Sequence, residues 1–162
     1  MTNKLKVLKK IATILNDNKV TWAVSASVLL YFYGIVDEFH DIDIMIDDED
    51  SELVIKLMNQ IGELQYSPYN SNFKTKHFLE YIIDDVDIDI MGGFIVVKDN
   101  IDYDCSLDIN YIDSHIKLDG IDIPLYSLKK WREFYFLINR ENKVKLIDDY
   151  FIRLCQVNCV SN

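Results

Sequence analysis

The chain has 162 residues, of which 49% are hydrophobic, and its 17 Lys and Arg against 27 Asp and Glu leave a formal net charge of -10. This length predicts one domain, 1–162, and an odd cysteine count argues against a disulfide framework. The negative charge disfavours broad nucleic-acid binding, because an acidic surface repels phosphate, and it suits a cationic ligand better. Because the sequence shows neither a secretory leader nor a membrane-length apolar run, we expect a cytoplasmic protein.

The first part of the chain predicts helices alternating with strands. Residues 3–17 carry apolar side chains at helical spacing, and residues 20–24 form a short apolar run that suits a buried strand. Small and hydroxyl residues open the segment 25–33 and apolar residues complete it, as at a strand-to-helix turn. Residues 39–46 alternate with a period of two, which indicates a strand.

The middle of the chain predicts a helix followed by a hairpin. Residues 52–61 have the pattern of a second helix, and residues 65–72 are rich in loop formers. Residues 76–83 and 86–91 alternate as strands, and the acidic pair at 84–85 is expected to form the tight turn between them.

The last part of the chain predicts short strands and two closing helices. The glycines at 92–93 are expected to break the second hairpin strand, and residues 94–97 to begin another strand. Several short alternating pieces follow at 99–123. Residues 128–138 and 143–157 have the pattern of helices.

This order of elements predicts an α/β or α+β fold with a mixed sheet flanked by helices and a short helical C-terminal cap. We expect the core of the domain at about 1–98 and the remaining strands and closing helices at about 99–162.

A pair of carboxylates on one predicted strand is the most informative feature. Asp41 and Asp43 flank Ile42, and residues two apart on a strand point to the same face. Adjacent carboxylates repel each other unless a cation lies between them, and Mg²⁺ prefers carboxylate oxygens. The pair therefore indicates a divalent-metal site.

A second acidic strand follows, in which Asp85, Asp87 and Asp89 alternate with apolar residues. If this strand lies beside the first, one of the three completes a carboxylate cluster that holds two metal ions about 3.5–4 Å apart, as in in-line phosphoryl transfer. Half-exposed strands of an unrelated α/β protein show the same alternation of Asp and Ile. The acidic residues alone leave both interpretations open.

The segment 22–46, WAVSASVLLYFYGIVDEFHDIDIMI, resembles the signature of the DNA polymerase beta-like nucleotidyltransferases. That signature is an apolar residue, a small Gly-Gly or Gly-Ser turn, a helix, and Asp-x-Asp between apolar residues. A third acid follows on a later strand, and the segment DVDIDIMGGF offers Asp89, with Asp87 as the alternate. The segment IPLYSLKKWREFYFLINRENKVKLI is similar to the closing helices of small bacterial members.

The resemblance implies Mg²⁺-dependent transfer of a nucleoside monophosphate from an NTP to a hydroxyl acceptor. It implies that Asp41, Asp43 and Asp89 bind two Mg²⁺ ions and that Asp89 also helps to deprotonate the acceptor. The acidic surface favours a small molecule or a protein over RNA as that acceptor. A homodimer or a helical partner protein stays open.

Ser25, Ala26 and Ser27 occupy the place of the family's glycine-rich turn, whose backbone N–H groups approach the triphosphate. Ser25 and Ser27 are therefore candidate nucleotide-binding residues, and capping of the next helix is their alternative role. A Cβ at Ser25 or Ala26 narrows the space for the triphosphate or excludes backbone with φ > 0. The alternative function is therefore an inactive binding or regulatory module, as in toxin–antitoxin pairs.

A basic group marks the start of the last helix, where Arg140, Lys143 and Lys145 lie close in sequence. The resemblance makes Lys143 the candidate phosphate contact, while a solvated helix end explains the same charges without a ligand. Aromatic residues at helical spacing, Tyr135 among them, predict core packing rather than stacking on a ligand.

Overall fold

A computed structural model describes residues 1–66, 68 and 70–160, and the side chains of these up to residue 157. The helices are α1 (Asn3–Asp17), α2 (Ala26–Phe32), α3 (Ser51–Met58), α4 (Leu128–Leu137) and α5 (Glu141–Val160). The strands are β1 (Trp22–Val24), β2 (Ile42–Ile46), β3 (Glu63–Leu64), β4 (His77–Ile83), β5 (Val86–Gly92), β6 (Ile95–Lys98), β7 (Ile101–Asp104), β8 (Ile112–Leu118) and β9 (Ile121–Tyr126). The predicted loop at 65–72 lies partly outside the described residues.

The main sheet is mixed, with the strand order β3-β4-β5-β2-β1-β9-β8, and β6 and β7 form a separate hairpin. Strand β2 runs antiparallel to β1 and parallel to β5, whereas β4 and β5 form an antiparallel pair. The predicted mixed sheet flanked by helices is therefore confirmed.

The apolar face of the sheet forms the core and leaves the acidic residues on the other face. Ile42, Ile44, Ile88 and Ile90 are fully buried, and they alternate with the acidic positions of β2 and β5. Helix α1 contacts β5 and β9. Burying one such aliphatic side chain stabilises the fold by about 1.5–3 kcal/mol, so the isoleucines determine which face of each strand is turned to the core. The carboxylates alternate with them and therefore lie on the opposite face.

Helix α1 supplies its own apolar stripe to this core. Leu8, Ile11 and Leu15 are 0% exposed and recur at helical spacing. The Thr2 side chain caps the helix by accepting a hydrogen bond from the Leu5 backbone N–H. In the described part of the chain, no helix combines the length and the apolar character that a membrane crossing requires.

Several strands differ from the sequence prediction. Strand β2 begins at Ile42 instead of residue 39, and its pairing with β5 starts there, at Ile42 opposite Ile88. The two-residue strand β3 was not predicted, because so short a segment shows no periodicity and only its pairing with β4 defines it. Gly92 belongs to β5, and the break comes at Gly93, which has a φ of 62°.

Gly92 has a packing role within β5. A Cβ at Gly92 would lie 2.7 Å from the Ser51 hydroxyl oxygen, closer than real contacts allow. The glycine therefore lets the start of α3 approach the strand, and it does not end the strand.

The closing helices are held together by a bidentate ion pair. Arg132 of α4 donates to both carboxylate oxygens of Asp148 on α5, with an Nη2–Oδ2 distance of 2.7 Å. Asn139, with a φ of 58°, lies in the short connection between the two helices. This corner brings the start of α5 to the acidic face of the sheet, because Lys143 and Asp43 line one cleft.

Candidate active site

The turn after β1 is tied directly to the acidic strand. The Ser25 backbone N–H donates a hydrogen bond of 3.0 Å to the carbonyl oxygen of Asp43. Ala26 follows with a φ of 46°, in the left-handed region where a Cβ costs roughly 1–2 kcal/mol. Alanine therefore adopts the backbone conformation that a glycine would adopt without strain, and the turn delivers Ser27 to the carboxylates.

Three carboxylates converge beside this turn. Asp43 and Asp89 are directly paired across the parallel strands β2 and β5, and Asp41 immediately precedes β2. Each of the three offers a carboxylate oxygen, and these oxygens lie within 4.8 Å of one another. Asp87, the alternate third acid, is exposed and lies outside this group, as does Asp85 in the turn before it.

Burial and mutual repulsion raise the pKa values of two of these acids. Burial raises the pKa of Asp43 well above its ordinary value, and the charges of Asp41 and Asp89 raise it further. The pKa of Asp89 is raised to about 6, first by burial and then by the charge of Asp41. Because a bound cation would relieve both effects, the cluster has the chemistry of a divalent-metal site.

The two serines of the turn have different surroundings. The Ser27 hydroxyl lies 3.3 Å from Asp41 Oδ1 and 3.4 Å from Asp43 Oδ2, so its single proton serves one carboxylate at a time. Ser25 is fully buried, its hydroxyl finds no hydrogen-bond partner among the residues that the structure describes, and it makes no side-chain cap to α2. Direct contact of Ser25 with a nucleotide stays a prediction.

The acids open onto a cleft of about 1020 Å³. Beyond Ser27 and the three acids, its lining includes residues of β4 and β5 and residues of the corner between α4 and α5. The first set is Phe78, Glu80 and Met91, and the second is Trp131, Tyr135, Ile138, Arg140 and Lys143. The cleft therefore joins a carboxylate cluster to a basic and aromatic wall.

The basic side chains of that wall are not neutralised by the protein. Among the described residues, neither Arg140 nor Lys143 forms an ion pair, although both line the cleft. Lys145 is exposed and does not line it, and Lys130 pairs instead with Glu133 at 2.7 Å. Of the basic group at the start of the last helix, Arg140 and Lys143 line the cleft and Lys145 does not.

Sequence analysis missed Glu80 and Trp131 as residues of this cleft. Glu80 lies on β4 directly opposite Asp89, and only the pairing of β4 with β5 brings the two together. Trp131 belongs to α4, where its apolar spacing predicts only core packing. Tyr135 was predicted as a core residue, and it is indeed only 6% exposed, yet it also lines the cleft.

The model of the aminoglycoside-2''-adenylyltransferase family matches residues 7–146 of this chain. The chain belongs to this family. It is therefore an enzyme of the nucleotidyltransferase superfamily, as the resemblance implied, and the interpretation as an unrelated α/β protein is wrong. No curated protein sequence matches this adenylyltransferase-family member.

Solved structures agree with the family assignment. TM1012 of Thermotoga maritima, a protein assigned to the nucleotidyltransferases, is 27% identical, with 92% of each chain covered and a TM-score of 0.71. ANT(2'')-Ia in complex with adenylyl-2''-tobramycin shares the fold at 10% identity, with coverage of 94% of this chain and 99% of that one and a TM-score of 0.57. The lincosamide adenylyltransferase LnuA, bound to lincomycin, shares it at 17% identity, with coverage of 93% and 98% and a TM-score of 0.58.

Proposed function

We propose that the protein transfers AMP from ATP to a hydroxyl group of a small cationic antibiotic, with Mg²⁺ bound by Asp41, Asp43 and Asp89. The observation that carries this proposal is the convergence of three carboxylate oxygens within 4.8 Å. Those oxygens lie in the same cleft as two basic side chains that lack ion pairs among the described residues, Arg140 and Lys143. A magnesium nucleotide needs both: carboxylates for the cation and basic groups for the phosphates.

The proposed reaction uses the acids for metal binding and proton transfer. The acceptor oxygen bonds to the α-phosphorus, the bond from that phosphorus to the oxygen bridging to the β-phosphorus breaks, and pyrophosphate leaves. Bound Mg²⁺ supplies Lewis-acid stabilisation of the phosphate charge. Asp89 takes the proton of the acceptor hydroxyl, since it lies on β5 directly beside Asp43 and lines the cleft in which the acceptor binds.

Ser27, Arg140 and Lys143 are the proposed phosphate contacts. Ser27 already holds its hydroxyl against Asp41 and Asp43, where a phosphate and a metal ion would meet. Arg140 and Lys143 lie at the start of α5 and carry the positive charge that the triphosphate requires. Ser25 contributes through its backbone, which ties the turn to Asp43.

The acidic part of the cleft supports a cationic acceptor. Glu80 lies opposite Asp89 on neighbouring strands, and Phe78 lines the cleft on the same strand as Glu80. A carboxylate beside an aromatic ring binds an ammonium group by Coulomb and cation–π attraction. The chain's net charge of -10 also attracts a cationic acceptor. Tobramycin and lincomycin, which the relatives' structures contain in adenylylated or free form, are the first acceptors to test.

No observation favours the alternative of an inactive module. That alternative rested on the absence of glycine from the turn after β1. Ala26 has a φ of 46°, in the left-handed region that glycine favours, and three carboxylates converge beside the turn.

Nucleotide binding is tested by thermal unfolding with each of the four NTPs, with and without Mg²⁺. A ligand at a hundredfold excess over its Kd stabilises the native state by about 2.7 kcal/mol. We expect the largest rise in Tm with ATP and Mg²⁺ together, and its loss in Asp43→Ala. Absence of a shift with every nucleotide would contradict the proposed function.

Transfer is tested by incubating the protein with ATP, Mg²⁺ and either tobramycin or lincomycin. The expected product is the antibiotic carrying one adenylyl group by mass spectrometry, with pyrophosphate released in equal amount. Asp87→Asn is the matched control for Asp43→Ala, because Asp87 is exposed on β5 and lies outside the carboxylate cluster.

A further inference from the structure

The indole of Trp131 is a buried donor in the wall of the cleft. Trp131 is 3% exposed, and within the described part of the chain its Nε1–H has no hydrogen-bond partner. Because an indole N–H can only donate and buried donors are nearly always satisfied, this group is available to an acceptor beside it.

Tyr135 lies next to this donor. The two rings meet edge to face, with centroids 5.8 Å apart and planes at 81°. Burial raises the pKa of Tyr135, while the side chain of Trp131 lowers it as a hydrogen-bonding group. The Trp131 ring therefore packs directly against the Tyr135 ring, and Tyr135 stays a protonated donor near neutral pH.

The charges around Tyr135 define the ligand chemistry. Tyr135 lines the same cleft as Asp41 and Asp43 of the carboxylate cluster and Arg140 at the basic start of α5. Arg140 and Lys143 line the same cleft and repel an ammonium group. A chain of anionic oxygens that runs from a metal ion towards two basic side chains is the ligand that matches this wall.

We propose that the Tyr135 hydroxyl donates a hydrogen bond to a phosphate oxygen of the bound nucleotide, and that the Trp131 indole N–H orients this hydroxyl by donating to its oxygen. The inference rests on the proposed function and assigns a phosphate contact to α4, in addition to those of the turn after β1 and of α5. Tyr135 is the binding residue, and Trp131 is a positioning residue that acts through it.

The test is a double-mutant cycle of Tyr135→Phe and Trp131→Phe, with the affinity for the α,β-methylene analogue of ATP and Mg²⁺ measured by calorimetry. A hydrogen bond to a charged oxygen predicts about tenfold weaker binding for Tyr135→Phe. Trp131→Phe weakens binding in the wild-type background and adds nothing in the Tyr135→Phe background, because its effect passes through the missing hydroxyl.

The matched control is Tyr126→Phe. Tyr126 is 1% exposed and packs against the same tryptophan, with ring centroids 6.4 Å apart, but it does not line the cleft. We expect its analogue affinity to equal that of the wild type.

The outcomes separate the inference from the function on which it rests. A wild-type protein that binds no methylene analogue with Mg²⁺ overturns the proposed function and the inference together. Wild-type binding that Tyr135→Phe leaves unchanged overturns the inference alone. If Trp131→Phe weakens analogue binding equally in both backgrounds, the positioning role is overturned. If Trp131→Phe does not fold, the affinity of Tyr135→Phe alone decides the phosphate contact.

Discussion

Asp43 and Asp89 face each other as direct partners on the parallel strands β2 and β5. Asp41 completes the cluster from just before β2, so three acidic groups share one small volume at the floor of the cleft. Like charges at this distance destabilise the folded protein until a cation compensates them. The same arrangement that suits the protein to bind a metal therefore makes the metal-free form less stable than its core would allow.

Asp89→Asn is expected to stabilise the metal-free protein. Removing one charge relieves the cost of burying that charge and then the repulsion with Asp41, so the free energy of unfolding rises by about 1–3 kcal/mol at pH 7.5. The measurement is thermal unfolding in EDTA. Asp87→Asn, on the exposed part of the same strand, should change stability by less than about 0.5 kcal/mol. A lower Tm for Asp89→Asn would contradict the repulsion.

The stability of the metal-free protein should fall as the pH rises. The folded-state pKa of Asp89 is about 6, above its ordinary value of 3.8, so the folded state binds this proton more tightly than the unfolded chain. The stability that this proton contributes is fully present below about pH 4 and is lost as the pH rises through 6. The raised pKa of Asp43 also makes the protein less stable at high pH. Unfolding curves in EDTA from pH 5 to pH 8 measure this.

Mg²⁺ should reverse that loss, because it binds the ionised carboxylates. We expect the Mg²⁺-dependent rise in Tm to be larger at pH 8 than at pH 5.5. The double variant Asp43→Asn/Asp89→Asn serves as the reference, since its stability should depend less on pH and respond little to Mg²⁺. If the stability of this variant depends on pH as that of the wild type does, the prediction is wrong.

Ala26→Gly should not cost stability. The left-handed φ of 46° strains alanine, and glycine removes that strain while adding freedom to the unfolded chain, so the net change lies between zero and a gain of about 1 kcal/mol. The control is Ala12→Gly in the middle of α1, which should lose at least about 1 kcal/mol. Urea unfolding compares the two variants, and a clear loss in Ala26→Gly would show that the turn is not strained.

Lys143→Met should raise the KM for the nucleotide about tenfold, with a smaller effect on the KM for the acceptor, because one charged contact to the phosphates is lost. Lys145→Met is the control, since Lys145 lies two residues further along α5 and does not line the cleft. Steady-state kinetics with each substrate varied in turn measures both variants. Similar changes in the two would assign the effect to overall charge.

Glu80→Gln should act on the acceptor instead. It removes the carboxylate opposite Asp89, and we expect the KM for a cationic acceptor to rise about tenfold while the KM for the nucleotide stays close to that of the wild type. Glu63→Gln on β3 is the control, because Glu63 is exposed and outside the cleft. If the KM for the nucleotide rises as much as the KM for the acceptor, the assignment of Glu80 to the acceptor is contradicted.

Local sequence patterns determined the elements and the faces on which the acids lie. The two-residue period of β2 directs Asp41 and Asp43 away from the buried Ile42 and Ile44, and the helical spacing of Leu8, Ile11 and Leu15 predicts α1. These patterns are readable because burial imposes them residue by residue along one segment. The family resemblance added Asp89 and the nucleotidyltransferase fold, and the fold is confirmed.

Only the tertiary structure decided which residues meet across elements. Alternation alone left Asp85, Asp87 and Asp89 equivalent, and the register of β5 against β2 places Asp89 beside Asp43. Pairing of β4 with β5 brings Glu80 to the same cleft, and the packing of α4 brings Trp131 there. Register and helix packing depend on contacts between segments far apart in the chain, so periodicity within one segment carries no record of them.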